Sequence, residues 1–151
     1  MSKSLNNFFT LKDILKDFDP MVLRFYFIKH YYRGPLDFSL EDLQVAEKTY
    51  KRLVNYFTGV DVVTNLDEIK KNVTVQAMSD CLSDDFNTSA LFGVLFESLD
   101  VMQGDEQAKI AVKSFMVNVI GLTLVPLAEK VVEITPEIQT LLDNRVQARL
   151  D

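Results

Sequence analysis

Between positions 40 and 57, Leu40, Leu43, Ala46, Tyr50, Leu53, Val54 and Phe57 recur at helical spacing. This stripe constrains the fold more than any other feature of the chain. It forms one face of a helix about 19 residues and roughly 28 Å long. A face that bulky is stable only where other elements cover it. Ser39, followed by Glu41 and Asp42, opens the segment, and Gly59 is expected to close it.

Similar start signals divide the rest of the chain. Thr10 with Asp13 opens a helix over 11–18. Asp19-Pro20 opens an apolar, aromatic helix from Met21 to Tyr32, which Arg33-Gly34-Pro35 is expected to stop. Residues 60–66 read as a connection, followed by one helix over 67–82. Its Val73-Thr74-Val75 patch fits a helix poorly. Ser83 to Asn87 reads as a turn, and Thr88 as the cap of a helix to about Gln103 with Leu91, Leu95 and Leu99 on one side. A helix over 105–121, a loop around Pro126 and a last helix opened by Thr135-Pro136-Glu137 complete the chain. The chain stops at Asp151 without a capping residue, which reads as truncation of a longer polypeptide. The expected fold is all-α, a short N-terminal loop and stem-contact region followed by an antiparallel helical bundle.

At 48% hydrophobic and 25% charged, the 151 residues suit a globular protein. No secretory signal and no apolar run of membrane-spanning length is present, so a cytoplasmic location without membrane contact is expected. The lone cysteine, Cys81, excludes an internal disulfide and reads as a small buried residue. The net charge of −6 is uneven: residues 1–58 carry nine Lys/Arg against seven Asp/Glu, and residues 59–151 seven against fifteen. An anionic ligand is therefore more plausible at the first third than elsewhere. The aromatic run Phe25, Tyr26, Phe27, Tyr31 and Tyr32 reads as core rather than as a stacking platform for bases. Asp84 and Asp85 read as a turn into a helix start, where acids favour the helix dipole, and not as a metal site or catalytic pair.

The sequence opens Met1-Ser2-Lys3-Ser4-Leu5. An ammonium between two hydroxyls suits an anion-binding loop, although four residues of this kind often occur by chance in a polar N-terminal tail. The order of the next segments adds weight: Asn-Asn-Phe-Phe-Thr, a capped helix, then Asp-Pro-x-x-Leu-Arg at 19–24. This resembles the Lys-Met-Ser-Lys-Ser loop of class I aminoacyl-tRNA synthetases, with Met1 at the motif's second position and Asn6 in place of its usual glycine. Tyr32-Arg33-Gly34-Pro35-Leu36-Asp37-Phe38-Ser39 and Asp84-Asp85-Phe86-Asn87-Thr88-x-Ala90-Leu91 resemble runs of cysteinyl-tRNA synthetases. Leu142-Asp143-Asn144-Arg145-x-x-Ala148-Arg149 resembles the start of their C-terminal extension. The family's histidine before Tyr-Arg falls on Tyr31.

The resemblance implies the C-terminal portion of a cysteine–tRNA ligase, an enzyme that activates cysteine with ATP and Mg2+ and transfers it to tRNA(Cys). It implies a phosphate-binding loop and stem-contact region at 1–38, a helical-bundle tRNA-binding domain at 39–135 and the beginning of a C-terminal extension at 136–151. Lys3 is then the catalytic group at the ATP phosphates, and Ser2 and Ser4 bind beside it. Lys12, Arg24, Arg33, Lys51 and Arg52 are candidate tRNA contacts, though a single surface cation is more often solvated or structurally paired. Zinc is expected only in a catalytic domain outside this chain. That domain is the second expected partner, with no DNA partner, and the chain alone is expected to be inactive. The alternative is a non-enzymatic helical module that binds other proteins, its N-terminal motif a coincidence.

Overall fold

The structure, a computed structural model, describes residues 10–128. The helix expected after Thr135 and the loop residues Ser2, Lys3 and Ser4 lie outside the described residues. The described elements are α1 (Leu11–Asp17), α2 (Pro20–Ile28), α3 (Leu40–Tyr56), α4 (Leu66–Ile69), α5 (Val73–Ser83), α6 (Thr88–Val101) and α7 (Glu106–Phe115), which runs into a π-helical segment, Met116–Ile120. The described residues contain no strand, in agreement with the all-α expectation.

The stripe at 40–57 behaves as its spacing requires. Leu43, Ala46, Tyr50, Leu53 and Phe57 are wholly buried. The Ser39 hydroxyl accepts from the Asp42 amide at 3.0 Å and donates to the Asp42 carboxylate at 2.8 Å. α2 and α3 pack together, as do α5 and α6. Leu91, Leu95 and Leu99 carry α6 into the same core, which also takes in Ile14 of α1 and Val22, Leu23, Phe25 and Tyr26 of α2.

Three expected boundaries move, each because a side chain competes for backbone groups, and a fourth helix keeps its end but changes its geometry. α2 ends at Ile28, four residues before Tyr32; Lys29 is its C-cap, and the His30 Nδ1 lies 2.7 Å from the Tyr26 carbonyl. Arg33-Gly34-Pro35 therefore lies beyond the end of α2 instead of terminating it. The single helix expected over 67–82 is two, because the Asn72 carboxamide accepts from the Thr74 and Val75 amides and starts α5 afresh. Asn87, not Thr88, caps α6, accepting from the Ala90 amide at 3.1 Å. The helix expected over 105–121 changes to π geometry at Met116 before Gly121, at φ +76°, closes it.

Long-range side-chain bonds tie the connections to the helices. The Lys113 ammonium donates to the carbonyls of Phe57 and Val60. The Ser114 hydroxyl accepts from the Val63 amide at 2.9 Å. This single cation collects carbonyls from the end of α3 and from the connection after it. Arg24 does the same for the end of the π-helical segment, donating to the Ile120 carbonyl at 3.0 Å.

Leu95→Ala, at a wholly buried position, is expected to cost about 2–5 kcal/mol in urea unfolding. Val101→Ala, at a position 84% exposed, should change stability by no more than ~0.5 kcal/mol. Gly59 and Gly121 both have left-handed φ, but a Cβ at Gly59 meets open space while one at Gly121 would lie 2.6 Å from the Arg24 Nη2. Gly59→Ala should therefore cost about 1–2 kcal/mol and Gly121→Ala clearly more, measured in the same titration.

Candidate functional site

The segment after α2 and the turn before α6 meet, although more than fifty residues separate them. The turn is unusual. Asp85 and Phe86 are consecutive non-glycine residues at φ +52° and +51°, a conformation costing about 1–3 kcal/mol for each residue. It lets the Phe86 amide reach the Leu82 carbonyl and the Asn87 amide reach the Cys81 carbonyl, which satisfies the end of α5. It also brings the Asp85 carboxylate to the segment after α2. Tyr31 donates to Asp85 Oδ2 at 2.5 Å, Tyr32 donates to Oδ1 at 2.7 Å, and Arg33 Nη1 lies 3.2 Å from Oδ2. The Arg33 guanidinium also stacks over the Tyr32 ring, 5.3 Å from its centroid.

Two further bonds hold the same junction. Because Asn87 takes the capping role, the Thr88 hydroxyl is available to donate to the His30 carbonyl, and Ser89 donates to the Lys29 carbonyl. These carbonyls lie just past α2, on its C-cap Lys29 and the residue after it, where backbone acceptors lack helical partners. The first turn of α6 thus caps the end of α2 across the fold.

The two tyrosine hydroxyls hold the Asp85 carboxyl below the usual carboxylate range, and Asp85 in turn raises both tyrosines above their ordinary value. The sign follows from hydrogen bonding to the charged carboxylate and the neutral phenols. The tie is intact above the ordinary carboxylate range, near pH 4, and is lost as pH falls through the depressed Asp85 value. At the alkaline end it is lost as pH rises through the elevated tyrosine values.

Beside the junction lies an apolar surface. Phe27, Ile28, His30, Tyr32, Phe86 and Thr88 line a cleft of about 470 Å3. A second cleft of about 500 Å3 lies along Leu11, Leu15, Leu23 and Arg24 and shares Phe27 and Ile28 with the first. The expectation that the aromatic run is core therefore holds only in part. Phe25 and Tyr26 are buried, but Phe27 is 47% exposed and Tyr32 60% exposed. Helical geometry explains the split for Phe27, because it projects from α2 about 100° away from Tyr26. Tyr32 lies beyond the helix, and its hydroxyl is committed to Asp85.

The candidate tRNA contacts do not share a partner. Arg24 is committed to the Ile120 carbonyl, Arg33 to Asp85 and Lys51 to Glu47 at 2.9 Å. Lys12 and Arg52 are exposed. Asp84 follows α5 as its C-cap, and Asp85 does more than shape the turn, since it gathers three side chains from the segment after α2. That role left no trace in the sequence pattern, because its partners are distant along the chain. Cys81 is half-buried against the core. Among the described residues no group of three His, Cys, Asp or Glu side chains is placed to hold a metal ion. No described helix is long and apolar enough to cross a membrane.

Residues 1–49 match the family model described as the catalytic domain of class I (C) tRNA synthetases. The match ends inside α3, so its limit is not a structural boundary. The chain is also 37% identical over 114 residues to a cysteine–tRNA ligase of Polynucleobacter asymbioticus, covering 74% of this chain and 24% of that protein. It is 38% identical over 112 residues to the enzyme of that name from Glaesserella parasuis, covering 72% and 24%. With the one from Actinobacillus succinogenes it shares 42% over 97 residues, covering 64% and 21%. All three relatives carry the name cysteine–tRNA ligase. It spans about a quarter of the length of the relatives it matches.

The junction makes a direct prediction. In a carboxyl-carbon NMR titration, Asp85 should titrate below the ordinary carboxylate range in the native chain. It should return towards that range in the Tyr31→Phe/Tyr32→Phe double variant. An Asp85 value unmoved by losing both hydroxyls would show that they do not hold it.

Proposed function

We propose that this chain forms the phosphate-loop and tRNA-facing part of a cysteine–tRNA ligase. Such an enzyme joins cysteine to ATP and passes the cysteine to the terminal adenosine of tRNA(Cys). The observation that carries the reading is identity of 37% across 74% of the chain to a protein named cysteine–tRNA ligase. In this reading residues 1–38 carry the phosphate loop and stem-contact region, residues 39–135 the tRNA-binding helices, and residues 136–151 the start of a C-terminal extension. The enzyme works in the cytoplasm with ATP and Mg2+, and zinc belongs to its catalytic domain.

The chemistry of the loop follows from charge. Attack of the cysteine carboxylate on the α-phosphate breaks the bond to pyrophosphate, and negative charge grows on the leaving group. The Lys3 ammonium stabilises that charge more in the transition state than in the ground state. Ser2 and Ser4 add hydroxyl donors to the phosphate oxygens.

The apolar clefts suit a protein neighbour. Leu11, Leu15, Leu23, Phe27 and Ile28 line them, and all lie within the segment that matches the catalytic-domain family model. We infer that the remainder of that domain covers this face. Its burial would join the phosphate loop to the helices through α1 and α2.

The test is pyrophosphate exchange driven by cysteine. In an intact ligase that contains this segment, Lys3→Ala should lower the exchange rate by about 10²-fold or more, while this chain by itself should show no exchange. Unchanged exchange in the Lys3→Ala enzyme would remove Lys3 from the ATP site.

A further inference from the structure

We propose that Asp85 is a positioning residue that presents Arg33 to a phosphate of bound RNA. The inference rests on the reading of this chain as tRNA-facing and adds to it the residue pair that makes the contact.

Among the five candidate cations, Arg33 combines a carboxylate partner with an aromatic ring beneath it while most of its surface stays exposed; Lys51, also exposed, has only its i,i+4 pairing with Glu47. The Arg33 side chain is 65% exposed, and that of Asp85 is 42% exposed. One guanidinium nitrogen faces Asp85, while the planar group lies against Tyr32. A guanidinium has five N–H donors, so a single carboxylate contact leaves others directed at solvent. The rotamer freedom that an exposed arginine ordinarily loses on binding has already been given up here.

A carboxylate beside an RNA-facing cation has an electrostatic cost, since it repels phosphate. Stability alone is a weak reason for it, because an exposed ion pair contributes little to folding. The geometry points elsewhere. Tyr31, Tyr32 and Arg33 are consecutive, and Asp85 holds all three at once. The turn that supplies it keeps two non-glycine residues in left-handed conformations, and strain of that kind gathers at functional sites. Thr88 and Ser89 anchor the same segment by its backbone. The whole assembly fixes where one guanidinium points.

Positioning and simple electrostatics predict opposite signs, which makes the two separable. The experiment is a filter-binding titration of this chain with a transcript of tRNA(Cys), at about 50 and 200 mM salt. Arg33→Ala should weaken binding several-fold and lower the salt slope by about one. Asp85→Asn should also weaken binding several-fold, although it removes a negative charge near the RNA. Asn tolerates the left-handed conformation of that turn as Asp does, so the backbone is kept. The double variant should bind no more weakly than Arg33→Ala alone. Asp85→Glu, which retains the carboxylate, should recover part of the loss. Thermal melts establish that each variant is folded at the titration temperature. Binding by Asp85→Asn as tight as wild type, or tighter, overturns the proposal, as does an unaffected Arg33→Ala. Failure of the wild-type chain to bind the RNA overturns the tRNA-facing reading itself and this inference with it.

Discussion

Phe25 is the contact on which the arrangement of this chain depends. Its wholly buried ring packs edge-on against Phe92 of α6 at 5.2 Å and tilted against Tyr50 of α3 at 5.7 Å. One side chain of α2 thereby fixes the short helix to two longer ones, and each aromatic pair contributes beyond the area it buries. Once α2 is held so, the carbonyls of Lys29 and His30 just past its end fall beside the first turn of α6, and Thr88 and Ser89 can reach them. Tyr31, Tyr32 and Arg33 come directly after and meet Asp85. The exposed junction is therefore a consequence of the buried one.

The helices could be read from the sequence wherever a long apolar period coincided with a capping residue. Ser39 and the stripe ending at Phe57 did so, and the structure buries that stripe. Sequence reading failed where a second polar side chain offered the backbone another partner. Asn72 divides one expected helix into two, and Asn87 takes the cap from Thr88. A local pattern does not rank two adjacent capping residues; tertiary demand does, because the Thr88 hydroxyl is used elsewhere.

The functional surface was legible only through resemblance. Motif order brought Lys3 and the ligase family into view, but spacing alone did not show that Asp85 meets Arg33. Nor could it separate Phe25 from Phe27, since an unbroken aromatic run has no period with which to tell core from surface. The uneven charge suggested an anionic partner for the first third of the chain. The structure refines this: Arg24 is tied to the Ile120 carbonyl, Lys51 pairs with Glu47 one turn away, and Arg33 is held by both Asp85 and the Tyr32 ring while open to solvent.

If the helices of this chain face the tRNA specific for cysteine, they should distinguish it from other tRNAs. Competition filter binding between that tRNA and an unrelated one, at low and moderate salt, measures this discrimination. The cysteine tRNA is expected to win at both concentrations, while binding of both weakens as salt rises. Equal binding of the two RNAs, or binding of neither, would contradict a tRNA-facing role.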